Sequence, residues 1–226
     1  MLEYLPVLVI LGGLGAMAYF MIKSGKDADQ KRKTAAEEKG WQYENDLSPV
    51  VVSTPDDERN ISYRLAGKTE QGVNWKVTCR HLKKIDKGGD LKVELLPSTE
   101  FEADKVCGYS FLIMAHEGIT LPDFVLAEIF KKLKFPVDTP RLAANLLPDQ
   151  VSGHCAVYSE TSEAADLAAK VAQHLTVWRN KYSGKGNELV LLGDPQGIKV
   201  RTERGMEKAE EMIYFTEIAL NLSQVF

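Results

Sequence analysis

Two pairs of thiol and imidazole side chains are the first residues in the sequence that could do chemistry. Cys79 and His81 stand two positions apart, and His154 is followed directly by Cys155. Two thiolates and two imidazoles form a common structural zinc site. On a strand, however, adjacent residues point to opposite faces, so only one of His154 and Cys155 can join the other pair. We therefore expect no metal site, because buried cysteines more often pack as small apolar side chains.

Three further motifs are similar to parts of catalytic or nucleotide-binding sites. Residues 66–69 (AGKT) end like a phosphate-binding loop, but Ser62 stands where the first glycine belongs, and the surroundings predict a hairpin. Residues 108–110 (GYS) lack the second glycine of a nucleophile elbow. His116 is not followed one turn later by the second histidine of a helical zinc motif. The sequence therefore assigns no catalytic residue and no cofactor, and it favours a protein that is not an enzyme.

The charges and the cysteines limit the partners and the compartment. The chain has 28 basic and 32 acidic side chains, and the part after residue 39 holds 22 of the basic and 27 of the acidic ones. An acidic body repels a polyphosphate, so we expect no nucleic-acid partner. Three cysteines are too few for a disulfide framework, and an odd number leaves one thiol unpaired. A reducing compartment fits these thiols.

The N-terminal segment, residues 4–22, is long and apolar enough to be a membrane anchor. Its nineteen residues carry no charge, and as a helix they reach about 28 Å, close to the thickness of one hydrocarbon core. The alternative is a signal peptide cleaved near residues 16–18 (AMA), but no basic residue precedes the apolar run. We predict a transmembrane signal-anchor at 1–22 with these principal residues: Tyr4, Leu8, Gly12, Gly15, Ala16, Tyr19, Phe20 and Ile22.

A charged segment, residues 23–39, follows the anchor. It holds six basic and four acidic side chains and is polar all round, so we expect a solvated helical stalk or linker. Because positive charge stays in the cytoplasm, we predict a single-pass protein of the inner (plasma) membrane, with the N-terminus outside and the C-terminal domain in the cytoplasm. Five basic side chains are candidates for contact with anionic headgroups: Lys23, Lys26, Lys31, Arg32 and Lys33. The spacing of Gly12 and Ala16 also leaves self-association of two anchors open.

The remaining residues, 40–226, carry the patterns of a folded domain. Alternation and apolar runs predict strands at 61–69, 73–81, 90–96, 106–115, 151–159, 188–192 and 198–202, with a hairpin turn at 70–72 and another at 193–197. Apolar residues at helical spacing predict helices over 120–135, 161–178 and 206–220. The predicted fold class is α+β: a transmembrane helix, then a mainly antiparallel sheet with three packed helices. The domain is continuous or divides into two subdomains near 136–150.

Several short motifs carry a resemblance to a known group of proteins. They are residues 40–43 (GWQY) after the stalk, a hairpin with Gly67, Gly72 and Trp75, residues 99–101 (TEF) before a buried strand, and an alanine-rich helix after Tyr158. In this arrangement the chain resembles uncharacterised bacterial proteins in which a single-pass anchor carries one folded domain. The resemblance implies a location at the membrane, and no functional residue is carried over from it.

The anchor and the incomplete motifs together predict a non-catalytic cytoplasmic domain that binds a partner or serves as an accessory subunit. The lipid bilayer is its first partner, through residues 4–22, and a protein is the second. The alternative is a membrane-associated enzyme or small-ligand-binding protein whose site is assembled from distant residues. Its first candidates are His81, His116 and His154, each with a carboxylate. A polar pocket at one of these histidines would favour the alternative, and a flat apolar patch would favour the binding domain.

Overall fold

The computed structural model describes residues 5–45, 61–81, 83–86, 92–95, 97–115, 123–147, 149, 155–182 and 188–226. At 5–18, 21–22, 83–86, 92–95, 123–125 and 132 it describes the backbone alone. The helices are α1 (Leu5–Glu38), α2 (Asp123–Leu133), α3 (Glu163–Lys181) and α4 (Ala209–Gln224), and Ala144–Leu146 form a short 3-10 turn.

An eight-stranded sheet lies at the centre of the fold. The strands in chain order are β1 (Gln42–Asn45), β2 (Ile61–Lys68), β3 (Asn74–Arg80), β4 (Lys83–Asp86), β5 (Lys92–Leu95), β6 (Ser98–Ala103), β7 (Phe111–Ala115), β8 (Cys155–Ser159), β9 (Leu189–Asp194) and β10 (Gly197–Thr202). The spatial order of the large sheet is β1-β2-β3-β6-β10-β9-β7-β8, and β4 and β5 pair with each other. Each described pair of neighbouring strands is antiparallel.

The two faces of the sheet differ in what covers them, and strand β6 shows the cause. Its residues alternate, so that Thr99, Phe101 and Ala103 are buried on one face while Glu100 and Glu102 lie on the other. The first face packs under α3, α4 and the end of α1 and forms the main core. On the second face, a smaller apolar cluster joins α2 to strands β7, β8 and β9. The rest of the second face carries charged side chains.

The predicted α+β class with a mainly antiparallel sheet is confirmed. Helices α2, α3 and α4 occupy the three segments in which helical spacing predicts them. Strand β7 begins later than predicted, at Phe111, but it is buried along its whole length, as a continuous apolar run predicts. Strands β1, β4 and β6 are absent from the sequence-based prediction. Segments on both sides of 136–150 contribute strands to the same sheet.

The two predicted hairpins are confirmed as β2-β3 and β9-β10. Gly72 in the first turn has a φ of +81°, a backbone conformation that glycine adopts without a steric penalty. In the second turn, a carboxylate oxygen of Asp194 accepts hydrogen bonds from the N–H groups of Gln196 (2.7 Å) and Gly197 (3.1 Å). Such side-chain bonds to the backbone are what favour Asp at the start of a tight turn.

Helix α1 is continuous over 34 residues and covers residues 5–22 of the predicted anchor and 23–38 of the predicted stalk. At 1.5 Å per residue it is about 51 Å long. Among the residues that the structure describes with side chains, no helix is long and apolar enough to cross a membrane. The predicted span lies almost wholly outside those residues, so the anchor stays a prediction.

Candidate functional site

The second half of α1 packs on the domain at a junction built around Arg32. The guanidinium donates a hydrogen bond from Nε to the Tyr43 hydroxyl (3.1 Å) and another from Nη1 to the backbone carbonyl of Glu207 (2.8 Å). Asp29, one turn earlier, lies 3.5 Å from the guanidinium and accepts a hydrogen bond from the Tyr43 hydroxyl at 2.5 Å. Arg32 is only 9% exposed and lies 5.5 Å from the centre of the Tyr63 ring. It therefore joins α1 to β1, to β2 and to the segment that precedes α4.

The end of α1 is fixed at the same place. Ala36 is fully buried, and Gly40, with a φ of +71°, ends the helix. The N–H of Gly40 bonds to the carbonyl of Glu37, and the N–H of Trp41 bonds to the carbonyl of Ala36, both at 2.9 Å. This is the Schellman arrangement, in which glycine terminates a helix. Trp41 then packs edge-on against Trp75, with ring centres 5.6 Å apart.

These contacts change the interpretation of residues 23–39. The sequence predicts a solvated stalk because the segment has no apolar stripe. In the structure, Arg32 and Ala36 are buried, and the segment packs against β1 and α4. The stripe that docks consists of a long cationic side chain and a small one, and neither registers as a core residue in a hydropathy pattern.

The partner surface for α1 is the segment between β10 and α4, which buried side chains hold in place. The Tyr63 hydroxyl donates to the carbonyl of Met206 (2.7 Å). The Thr99 hydroxyl donates to the carbonyl of Arg204 (2.8 Å) and accepts from the N–H of Met206 (3.0 Å). Tyr63 and Thr99 are fully buried, so these bonds satisfy polar groups that water does not reach. The docking surface is therefore preformed by the sheet.

The protonation states at the junction are suited to permanent contact. Burial raises the pKa of Tyr43 to about 12, although the hydrogen bond from Arg32 acts against it. Burial acts to lower the pKa of Arg32, but the hydrogen bond to Tyr43 and the charge of Asp29 outweigh it and raise that pKa. Burial also raises the pKa of Tyr63 well above its usual value. At neutral pH the arginine is thus charged and both tyrosines are neutral, so the hydrogen bonds persist.

One predicted candidate residue, His81, lies at the edge of this junction. Its Nδ1 donates a hydrogen bond to a carboxylate oxygen of Glu207 at 2.8 Å. That bond is the main reason why the pKa of Glu207 is lowered. Both side chains are about half exposed. His116 and His154, the other two candidates, lie outside the described residues.

Comparisons with protein-family models, with curated proteins and with solved structures find no match. Beside Arg32, a cleft of about 700 Å³ separates α1 from the start of α4. Its lining residues on α1 follow helical spacing and form one stripe: Phe20, Lys23, Ser24, Asp27, Ala28, Lys31 and Arg32. From the other side, residues 207–210 close it. The exposed fraction along the stripe is 9% at Arg32 and 67% at Phe20, so contact with the body is lost toward Phe20.

A second, smaller cavity of about 250 Å³ lies on the charged face of the sheet. Its carboxylates are already paired across strands. Glu102 lies 2.7 Å from the Lys76 ammonium and 3.0 Å from that of Lys199. Glu100 lies 3.2 Å from the Arg201 guanidinium. The acidic run at 100–104 thus has two of its carboxylates occupied by cross-strand ion pairs.

The predicted anchor residues are described to different extents. Tyr4 lies outside the described residues, and Leu8, Gly12, Gly15, Ala16 and Ile22 are described by their backbone alone, within α1. Tyr19 and Phe20 are described in full: they are 63% and 67% exposed, and their rings meet edge-on at 6.0 Å.

The five residues predicted to contact lipid headgroups differ in their exposure. Lys23, Lys26, Lys31 and Lys33 are exposed on α1, as a contact with lipid requires. Arg32 is different, because its guanidinium is buried against the domain. The sequence alone does not distinguish Arg32 from the four lysines, because the face of α1 that is covered depends on where the domain packs against the helix.

The two cysteines among the candidate zinc ligands lie far apart, and His154 lies outside the described residues. Cys79 is on β3 and Cys155 is on β8, five strands away, which corresponds to about 24 Å. Among the described residues, no group of three His, Cys, Asp or Glu side chains could hold a metal ion. Burial raises the pKa of the Cys79, Cys107 and Cys155 thiols to about 11, so none of the three is an activated thiolate.

The glycine of the phosphate-loop motif has a packing explanation. Gly67 is the last but one residue of β2, opposite Trp75 on β3. A Cβ at this position would lie 2.5 Å from the Trp75 ring. Glycine is therefore needed for the close approach of the indole, and the motif is part of a hairpin, as the sequence predicts.

Proposed function

We propose that this protein is a single-pass, membrane-anchored, non-catalytic domain that binds a partner at the cytoplasmic face of the inner membrane. The observation that carries the proposal is the rigid connection between α1 and the body. One unbroken helix continues from the predicted anchor into the Arg32 junction. The contacts at Asp29, Arg32 and Ala36 then hold the body in one orientation relative to that helix.

In this proposal, the docked helix sets the height of the body above the bilayer. Ile22 ends the predicted span, and Arg32 follows ten residues later, which in a helix is about 15 Å. A flexible linker of the same length would let the domain rotate freely. A docked helix keeps the same face toward the lipid, so a membrane partner would always meet the same surface of the domain. This is the property expected of an accessory subunit.

The chemistry of the described groups supports binding over catalysis. The thiols are protonated in the core, and the most buried arginine is used to dock α1. The carboxylates of Glu100 and Glu102 are neutralised by cross-strand cations. These polar groups therefore have structural roles that explain their burial and charge.

Two measurements on the full-length chain test the proposal. In intact spheroplasts, external protease should leave the body intact, and it should digest the body once the spheroplasts are lysed. Digestion from outside would refute the orientation. The protein purified in mild detergent at native expression level should retain one protein in stoichiometric amount.

A matched pair of variants makes the partner test specific. Arg32→Met removes the docking contacts but keeps the stem of the side chain, whereas Lys33→Met changes the exposed neighbour. We expect the partner to be retained by Lys33→Met and reduced with Arg32→Met. Equal retention by both variants would show that a fixed orientation is not needed for binding, and the absence of any partner would refute the proposed binding function.

A further inference from the structure

The cleft between α1 and α4 lies where the predicted bilayer would meet the domain. Phe20, at its outer end, is within the predicted span, and Lys23 follows one turn later, about 4.5 Å along the axis. Lys31 lies about 12 Å further toward the body. The stripe thus passes from an exposed aromatic ring to cationic side chains in the order in which a lipid presents its acyl chain and its phosphate.

The charges of the lining favour an anion. Lys23 and Lys31 come from α1 and Lys208 comes from the start of α4, and none of the three forms an ion pair with another described side chain. Two exposed acids, Asp27 and Glu210, also line the cleft. The three lysines exceed these two acids by one positive charge.

The other two charged residues of the lining, buried Arg32 and half-exposed Glu207, add no free charge. Arg32 is paired with Asp29, and the carboxylate of Glu207 is bonded to His81. A ligand would therefore meet the lysines at the walls. A volume of about 700 Å³ is in the range of small-ligand pockets and exceeds the size of a single phosphate group.

We propose that this cleft binds the phosphate of an anionic phospholipid of the cytoplasmic leaflet, with Lys23, Lys31 and Lys208 around the headgroup and Phe20 against the acyl chain. The inference rests on the proposed anchoring, because the anchor places the cleft at the lipid surface. Free phosphate would satisfy the lysines equally well, but it would leave the ring of Phe20, which is 67% exposed, uncovered. Bound lipid would bridge α1 and α4 and so strengthen the junction.

The test uses the full-length protein in mild detergent, with binding of phosphatidylglycerol and phosphatidylcholine of equal chain length measured by native mass spectrometry. Phosphatidylglycerol should bind preferentially. The double variant Lys31→Gln, Lys208→Gln should lower that affinity by about thirtyfold, since each cation near a lipid surface contributes about fivefold. The matched control Lys68→Gln, Lys170→Gln removes the same charge at two exposed lysines outside the cleft and should change the affinity less than threefold.

Each other outcome overturns the proposal in a defined way. Equal losses in both double variants would show diffuse attraction to basic residues, and equal binding of the two lipids would refute selection of an anion. Competition by inorganic phosphate, with no effect of Phe20→Gln on lipid binding, would identify a free anion as the ligand. Lipid binding in detergent does not depend on the orientation of the protein in the membrane. The lipid proposal can therefore be refuted while protection in spheroplasts supports the orientation, and the orientation can be refuted while lipid binding is observed.

Discussion

Replacement of Arg32 by methionine tests whether the junction holds α1 on the body. Methionine preserves the apolar stem but removes the hydrogen bonds to Tyr43 and to the Glu207 carbonyl, at 3.1 and 2.8 Å. Hydrogen bonds of a charged donor contribute about 1.5–3 kcal/mol each. Since Arg32 is 9% exposed, little water can replace them. We expect the free energy of undocking to fall by about 3 kcal/mol, which is roughly a hundredfold in the opening equilibrium.

Amide hydrogen exchange of the full-length protein in mild detergent measures this equilibrium locally. Peptides covering 29–40 and 204–210 should exchange about a hundredfold faster in the Arg32→Met variant, while peptides from β7 and β9 should be unchanged. The control is Lys33→Met, because Lys33 is exposed and lies 3.9 Å from Glu37. An exposed pair of this kind contributes less than about 1 kcal/mol. Equal exchange rates in the two variants would refute the reasoning, because buried Arg32 would then contribute no more to the docking of α1 than exposed Lys33.

Three further predictions concern packing, acid stability and the thiols. Gly67→Ala should destabilise the fold by about 1–3 kcal/mol in thermal unfolding, because the new Cβ would lie 2.5 Å from the Trp75 ring; Gly25→Ala, with no atom within 4 Å, should stabilise α1 by about 0.5–1 kcal/mol. The bond from His81 lowers the pKa of Glu207 from 4.5, so its stabilising effect should be present above that pH and be lost as the pH falls below it. His81→Gln should make the melting temperature less dependent on pH in that acidic range. The same dependence on pH in the variant and in the unchanged protein would contradict this. Because burial raises the pKa of all three thiols to about 11, Ellman's reagent at pH 8 should react about a hundredfold more slowly than with ordinary thiols until denaturant is added.

Local patterns in the sequence predict most of the elements. The β2-β3 and β9-β10 hairpins follow from alternation and from turn residues such as Gly72, and α3 follows from its apolar stripe. These signals depend on neighbours within a few residues, so a linear pattern contains them. Strand β6 is different: the cations that pair with its outward residues Glu100 and Glu102 lie on β3 and β10, in distant parts of the chain.

The Arg32 junction shows most clearly what the sequence alone does not predict. Sequence reasoning places the basic residues of 23–39 together, but Arg32 is buried because the carbonyl of Glu207, 175 residues away, accepts its hydrogen bond. The spacing of Asp29, Arg32 and Ala36 puts all three on one helical face, which is a signal that could have been found. This spacing indicates a docked face only when the surface of the domain that packs against α1 is known.

The sequence by itself determines helices α2, α3 and α4, most of the strands and the two hairpin turns, because those elements depend on side-chain periodicity and local hydrogen bonding. Tertiary structure alone decides which charges are neutralised, which face of α1 is covered and where a cleft opens. Those properties depend on the order of strands in the sheet and on Tyr63 and Thr99, which hold the segment at 204–207 in position to meet Arg32. The free energy of such contacts is set by burial, and burial is a property of the assembled fold.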